Sequence, residues 1–202
     1  MTKDFMKTTL RLLSTAGVAC SISCAQAASL PDPLLDEAVV VQGTARTIVL
    51  SGGCFWGVQA VFQHVKGVTK AVSGYAGGAA DTAHYDTVSI GSTGHAESVE
   101  VTYDPAQVTV GKLLKVFFSV AHDPTTLNRQ GPDSGTQYRS AVFFTVPEQE
   151  KIVKAYIAQL ESAKSFSSPI VTEVKQLEKF YAAEAYHQNY AQNHPDNPYI
   201  AT

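Results

Sequence analysis

The chain has 202 residues, of which 45% are hydrophobic and 16% charged, with a formal net charge of −3. That length suits one well-packed domain and is short for two. With no basic run and no stretch of about twenty apolar residues, nothing suggests a nucleic-acid or anionic-membrane partner, or a transmembrane helix.

Lys3, Lys7 and Arg11 precede a short apolar stretch from Leu12 to about Ile22, and Ala25-Gln26-Ala27 sets small residues before Ala28. This is a secretory leader pattern. It predicts a signal peptide over residues 1–27 and an exported protein, periplasmic or secreted. A lipoprotein signal fits less well, because neither Cys20 nor Cys24 has a leucine three positions earlier. Residues 28–45 carry Pro31 and Pro33 with little periodicity and read as a linker or surface arm. The folded domain is expected over 46–202.

Thr47-Ile48-Val49-Leu50 reads as a buried strand, and Val58, Val61, Phe62 and Val65 recur at helical spacing. Between them lies Ser51-Gly52-Gly53-Cys54-Phe55-Trp56-Gly57, which places Cys54 at a strand-to-helix turn. There, unpaired N–H groups and the positive helix end favour thiolate. The two glycines allow a sharp turn, and Phe55 and Trp56 set aromatic faces beside the sulfur. A buried, inert cysteine is the plainer alternative. Cys20 and Cys24 fall in the leader, so the mature chain keeps Cys54 alone. Any oxidised form of it then needs a thiol from another molecule.

Val68 to Ser73 suggests a second strand, and Gly74-Tyr75-Ala76-Gly77-Gly78 a turn that opens a polar loop through His84, Tyr85 and Asp86 to Gly94. Glu97 to Tyr103 alternates as a half-buried strand does. Glu97, Val99, Val101 and Tyr103 share the apolar face, leaving Ser98, Glu100 and Thr102 toward solvent. Glu97 is thus a carboxyl at the mouth of a buried face, where desolvation keeps a proton available near neutral pH. Val110 to Ala121 reads as one amphipathic helix. His122 to Arg139 is a long irregular segment, and such segments in compact domains are usually functional or disordered. Strong flanking elements and the presence of Leu127, Tyr138 and Arg139 favour function, with Asp133 and Tyr138 the polar side chains to aim at a ligand or, failing that, at solvent. Ser140 to Val146 is a strand, and Thr145-Val146-Pro147-Glu148 resembles a capping box opening a helix with Ile152, Val153, Tyr156, Ile157 and Leu160 inward. A strand over Ile170 to Val174 and an aromatic helix from Phe180 to about Asn193 complete the chain. This alternation predicts an α/β or α+β sandwich with helices against one mixed sheet.

Gly53-Cys54-Phe55-Trp56-Gly57 resembles the signature of the A-class peptide methionine sulfoxide reductases. The resemblance continues through Gly74-Tyr75-Ala76-Gly77-Gly78, Tyr85, Gly94-His95-Ala96-Glu97, Tyr103-Asp104-Pro105 and His122-Asp123-Pro124-Thr125. It runs on through Arg129-Gln130-Gly131, Asp133, Gly135-Thr136-Gln137-Tyr138-Arg139-Ser140 and Tyr186-His187-Gln188. It implies a two-layer ferredoxin-like sandwich and an oxidoreductase that returns the S epimer of methionine sulfoxide, free or protein-bound, to methionine. It implies no bound metal, flavin or nicotinamide, but an external thiol reductant of thioredoxin, glutaredoxin or small-thiol type. Position by position, Cys54 would be the nucleophile and Glu97 the acid. Tyr85 and Tyr138 would donate hydrogen bonds to the sulfoxide oxygen, Asp133 would join that network, and Phe55 and Trp56 would hold the S-methyl group.

The chain departs from many family members in having no cysteine after Cys54, so a sulfenic acid on Cys54 is expected to be resolved by another molecule. Two rivals are a cysteine hydrolase pairing Cys54 with His95 or His187, and a non-catalytic module gripping methionine-like side chains through Phe55 and Trp56. The six histidines lack paired ligand spacing, and His64, His84 and His194 are expected at the surface.

Overall fold

The computed structural model describes residues 29–38, 40–41 and 44–198; the expected leader lies outside them. Six strands form one mixed sheet: β1 (Arg46–Ser51), β2 (Val68–Ala76), β3 (Ala96–Tyr103), β6 (Ala141–Phe144), β7 (Glu173–Gln176) and β8 (Phe180–Ala182). Their order is β7-β6-β1-β3-β2-β8. Only β6 and β7 run parallel; the other pairs are antiparallel. A separate two-stranded hairpin, β4 (Arg129–Gln130) with β5 (Asp133–Ser134), interrupts the expected irregular segment.

The main core lies between one sheet face and the helices α1 (Phe55–Gln63), α3 (Val110–Val116) and α4 (Pro147–Ser162). Ile48 and Leu50 point into it, while Val49 joins Ala76, Ala96, Ala141 and Phe143 in a smaller cluster on the other face. With both faces covered, β1 has to be apolar at every central position, and its sequence is. The same cover corrects one expectation: Ser98 does not face solvent. It is fully buried, and its hydroxyl lies 2.6 Å from that of Ser51.

Five more expectations move. The glycine-rich turn begins later, because Gly74, Tyr75 and Ala76 still belong to β2 and pair with β8. The polar loop after it holds a 3-10 turn (Ala80–Thr82) and a short helix, α2 (Tyr85–Val88). The helix from Val110 divides, α3 giving way to a π-helical turn over Phe117–Ala121. The strand expected at Ile170 to Val174 starts at Glu173, where β6 supplies its partner. The expected C-terminal helix does not form. Phe180–Ala182 is captured by the β2 edge, a 3-10 turn covers Ala185–His187, and only Tyr190–Asn193 (α5) is helical. Gln188 helps hold this path: its side chain accepts from Ser73 N (3.0 Å) and donates to Ser73 O (2.9 Å), standing in for a strand partner. Sheet pairing outweighs a local helical pattern.

The capping box is also displaced. Val146 is the N-cap of α4, and Gln149, rather than Glu148, accepts from Thr145 N at 2.8 Å. Ahead of β1, the segment from Leu30 to Glu37 is docked. Glu37, 5% exposed, accepts from Val110 N (2.8 Å) and pairs with Arg46. Asp36 accepts from Gly111 N at 2.8 Å, so two acids satisfy N–H groups at the start of α3.

Candidate active site

Cys54 is the N-cap of α1, as its sequence position foretold. Gly53 takes φ +88°, a conformation suited to glycine, and a side chain there would begin 2.7 Å from Gln130 Cβ. A side chain on Gly52 would begin 2.7 Å from His122 Cγ. The turn that aims the sulfur is thus moulded by two residues of the 122–139 segment. His122 is itself fixed, with Nε2 2.7 Å from Ser140 Oγ and Nδ1 3.1 Å from Phe117 O. Burial pushes its pKa down to about 4, keeping it neutral. A cleft of ≈420 Å³ opens beside Cys54, bordered by Gly57, Ala60, Gln130, Pro132, Asp133 and Ala191.

Glu97 is the second residue of β3 and is 2% exposed. Its Oε2 accepts the backbone N–H of Phe55 at 3.1 Å. The acid therefore sits against the residue next to Cys54, at the start of the same helix. Burial raises its pKa from 4.5 to about 7; the Phe55 N–H opposes this, and the charge of Asp133 adds to it. Tyr85, at the start of α2, and Tyr138, in the 3-10 turn Thr136–Tyr138, converge on the same place. The pKa of each is raised, first by burial and then by the charge of Glu97, with Cys54 and Asp133 contributing to both. Tyr85 and Tyr138 each lie within electrostatic reach of Glu97, Cys54 and Asp133.

The two aromatics take different positions. Phe55 is 1% exposed, packed 5.0 Å from His187 and 5.9 Å from Tyr75 between ring centroids. Trp56 is partly exposed and stacks on Tyr190 at 3.7 Å and 10°. Its indole N–H donates to His187 Nδ1 at 3.1 Å. That bond places the ring proton of a neutral His187 on Nε2, and burial lowers the pKa of the ring. His187 also packs against Tyr85, ring centroids 4.4 Å apart and tilted by 51°, so one buried histidine touches both sides of the site. Glu184 joins it by accepting from Tyr85 N (3.0 Å) and Tyr75 Oη (2.8 Å). Glu184, Gln188 and Tyr190, like His122 and Gln130, were not singled out as site residues from sequence. For Glu184, Gln188 and Tyr190 the signal is the polar and aromatic density of Glu184-Ala185-Tyr186-His187-Gln188-Asn189-Tyr190, a stretch whose sequence reads as part of an aromatic helix.

His95 has both ring nitrogens engaged, Nδ1 with Gly78 N (3.2 Å) and Nε2 with Ala79 O (2.9 Å). It is not available as the base of a hydrolase. His64, His84 and His194 are exposed, as expected. Among the described residues, no group of three or more His, Cys, Asp and Glu side chains could hold a metal ion. No described helix is long and apolar enough to cross a membrane.

A thiol at a helix start, a buried acid whose pKa burial raises to about 7 and two tyrosines that feel the charge of both define the candidate site of a cysteine-centred enzyme. Residues 46–202 match the family model for peptide methionine sulfoxide reductase. Over 156 residues the chain is 60% identical to peptide methionine sulfoxide reductase MsrA 2 of Mesorhizobium japonicum, covering 77% of this chain and 80% of that one. It is similar to reduced Mxr1 of Saccharomyces cerevisiae, with a TM-score of 0.72, 31% identity and coverage of 80% and 91%. A further match is Mxr1 in complex with Trx2, with a TM-score of 0.51, 25% identity and coverage of 73% and 85%. The chain belongs to the peptide methionine sulfoxide reductase family, and it is an oxidoreductase that uses thiol to reduce methionine sulfoxide.

Proposed function

We propose that the substrate is the S epimer of methionine sulfoxide and that Cys54 attacks its sulfur while Glu97 protonates the oxygen. The observation that carries this reading is the Phe55 N–H to Glu97 hydrogen bond, which fixes a proton-bearing acid one residue from the nucleophile. Sulfoxide oxygen leaves poorly unless protonated, so the attack needs such an acid. Tyr85 and Tyr138 donate to the same oxygen, and Asp133 belongs to their network. The S-methyl group sits against Trp56, with Phe55 backing the wall from the core. Donors on one side and an aromatic face on the other fix the handedness of the sulfoxide.

The balance is simple. The sulfoxide loses its oxygen to become methionine, and the Cys54 thiol becomes a sulfenic acid. One external thiol condenses with it, releasing water and leaving a mixed disulfide. A second thiol frees Cys54 as the external disulfide departs. The reductant is of thioredoxin, glutaredoxin or small-thiol type; the complex of Mxr1 with Trx2 and the absence of a cysteine after Cys54 favour an external donor. The role is repair of oxidised proteins, and the leader sequence supports export, so the substrates are envelope or secreted proteins. The central order β6-β1-β3-β2, antiparallel throughout, supports describing the sheet's core as ferredoxin-like.

The test is reduction of separated S and R methionine-sulfoxide peptides by the full chain with dithiothreitol, beside Cys54→Ser. Consumption of S alone, abolished in the variant, is expected. No change in either epimer despite a free Cys54 thiol would overturn the reading in favour of a binding module. An intramolecular disulfide, rather than a mixed one with the small thiol, would overturn the external resolution step.

A further inference from the structure

Tyr138 enters the site on the Thr136–Tyr138 turn, and its sequence neighbours bind the segment that joins Tyr85 to Glu97. Thr136 Oγ1 donates to the Gly91 carbonyl, and Gln137 Nε2 to that of Ser89 at 2.9 Å. Arg139 reaches furthest. Only 8% exposed, it donates from Nη2 to the Gly94 carbonyl (2.9 Å) and from Nη1 to the Thr136 carbonyl (2.9 Å), and its Nε pairs with Glu173 Oε2 on β7 (3.2 Å). One guanidinium therefore ties together the backbone two residues before Tyr138 and the backbone three residues before Glu97. Gly77 makes room for it: a Cβ there would lie 2.9 Å from Nη2.

We propose that Arg139 is a positioning residue for the reaction, its guanidinium setting the separation of the Tyr138 hydroxyl and the Glu97 carboxyl by bridging the Thr136 and Gly94 carbonyls. The proposal rests on the roles assigned above to Glu97 and Tyr138. A planar fork with donors in fixed directions can serve these three acceptors at once, whereas a lysine ammonium is a point donor on a flexible stem. The two tethered elements come from different parts of the chain, and of the side chains that join them Arg139 reaches closest to Glu97 along the backbone, at Gly94, where Thr136 and Gln137 reach only Gly91 and Ser89. Tyr138 belongs to the turn after β5, Glu97 to β3, and both must meet one sulfoxide oxygen. The methyl side of the site, Trp56 with Tyr190 and His187, has none of its rings among the partners of Arg139. Disturbing the bridge should therefore slow the chemical step and spare substrate binding.

The experiment compares full-length wild type, Arg139→Lys, Glu173→Gln and Glu97→Gln. Single-turnover reduction of an S-sulfoxide peptide is followed from pH 5.5 to 8.5, with KM and the rate of Cys54 alkylation. Arg139→Lys is expected to unfold cooperatively and alkylate normally, with KM nearly unchanged. Its turnover should fall by about 10²-fold, the scale for a misplacement of about 1 Å, and the midpoint of its pH profile should move. Glu173→Gln, which leaves both carbonyl bridges, should keep the wild-type rate and profile. The proposal is overturned by a wild-type rate and profile in Arg139→Lys, by a loss confined to KM, by a matching loss of alkylation, or by an equal loss in Glu173→Gln. If Arg139→Lys does not fold, Arg139→Gln, which keeps a donor for one carbonyl only, is judged by the same readouts. A wild-type rate in Glu97→Gln would instead refute the acid role on which the proposal stands. An inactive Glu97→Gln beside a fully active Arg139→Lys would refute the positioning role alone.

Discussion

Replacing Glu97 by Gln should make the protein more stable at alkaline pH and nearly inactive. The folded carboxyl is held at about 7, against 4.5 for an ordinary glutamate, chiefly by burial. Between those values the unfolded chain has released this proton and the folded one has not. The folded state then binds more protons, so stability falls as pH rises, and the loss is complete above about pH 7. The rise from 4.5 to about 7, at about 1.4 kcal/mol per pH unit, amounts to about 3 kcal/mol. Gln keeps an acceptor for the Phe55 N–H but does not titrate. Urea unfolding of wild type and Glu97→Gln is compared at pH 4 and pH 8, on either side of the folded carboxyl's value of about 7. The stability difference should move by about 3 kcal/mol in favour of Gln between the two pH values. Turnover should fall by about 10²- to 10⁴-fold, the usual contribution of a general acid. In wild type, turnover should decline as pH rises past about 7. A stability difference that is the same at both pH values would refute the buried-acid argument, whatever happens to activity.

Gly52→Ala should drive its new methyl into the His122 ring, 2.7 Å away; unfolding by urea should show a cost of about 1–3 kcal/mol, with slower Cys54 alkylation as the turn shifts. Trp56→Ala should raise KM for the S-sulfoxide peptide by at least about tenfold, the scale of one to three kcal/mol in an apolar pocket, as read from initial rates. Glu37→Ala leaves Arg46, Tyr103 Oη and the Val110 N–H without their shared acceptor. Thermal unfolding should show a loss of about 3 kcal/mol with single-turnover reduction unchanged.

What could be read from the sequence was whatever depends on neighbours along the chain. Alternation along β3 is a local property, so the inward side of Glu97 follows from Val99, Val101 and Tyr103. The placement of Cys54 follows equally from a β-branched run, two glycines and a helical repeat. The errors arise where a distant segment decides. Ser98 lies on the face that parity assigns to water, but the cluster of Val49, Ala76, Ala96, Ala141 and Phe143 covers that face. Phe180 to Ala182 has a helix-compatible pattern, yet the free edge of β2 offers backbone partners 106 residues away at Gly74 to Ala76, with Phe180 opposite Ala76 at 104 and Ala182 opposite Gly74 at 108. The residues that mould the site, His122, Gln130 and Arg139, act through contacts with chain segments that no periodicity records.

The Phe55 N–H links these observations to the direction of the reaction. An N–H donor favours the carboxylate over the carboxylic acid, and here it acts against the burial that keeps Glu97 protonated. Before the proton moves, burial dominates and the acid holds it. Once the sulfoxide oxygen has taken the proton, the new carboxylate meets a donor already in place at 3.1 Å, at the positive end of α1. In the proposed step the attacking Cys54 sulfur lies at the same helix start, and its negative charge is dispersed as the sulfur bonds to substrate. On the proposed mechanism, negative charge passes from Cys54 to Glu97 while the helix end beside both stays still. An environment that need not reorganise as charge shifts is one that favours the transition state over the ground state. It also explains why the acid is anchored at residue 55, adjacent to the nucleophile, rather than from the opposite wall of the cleft.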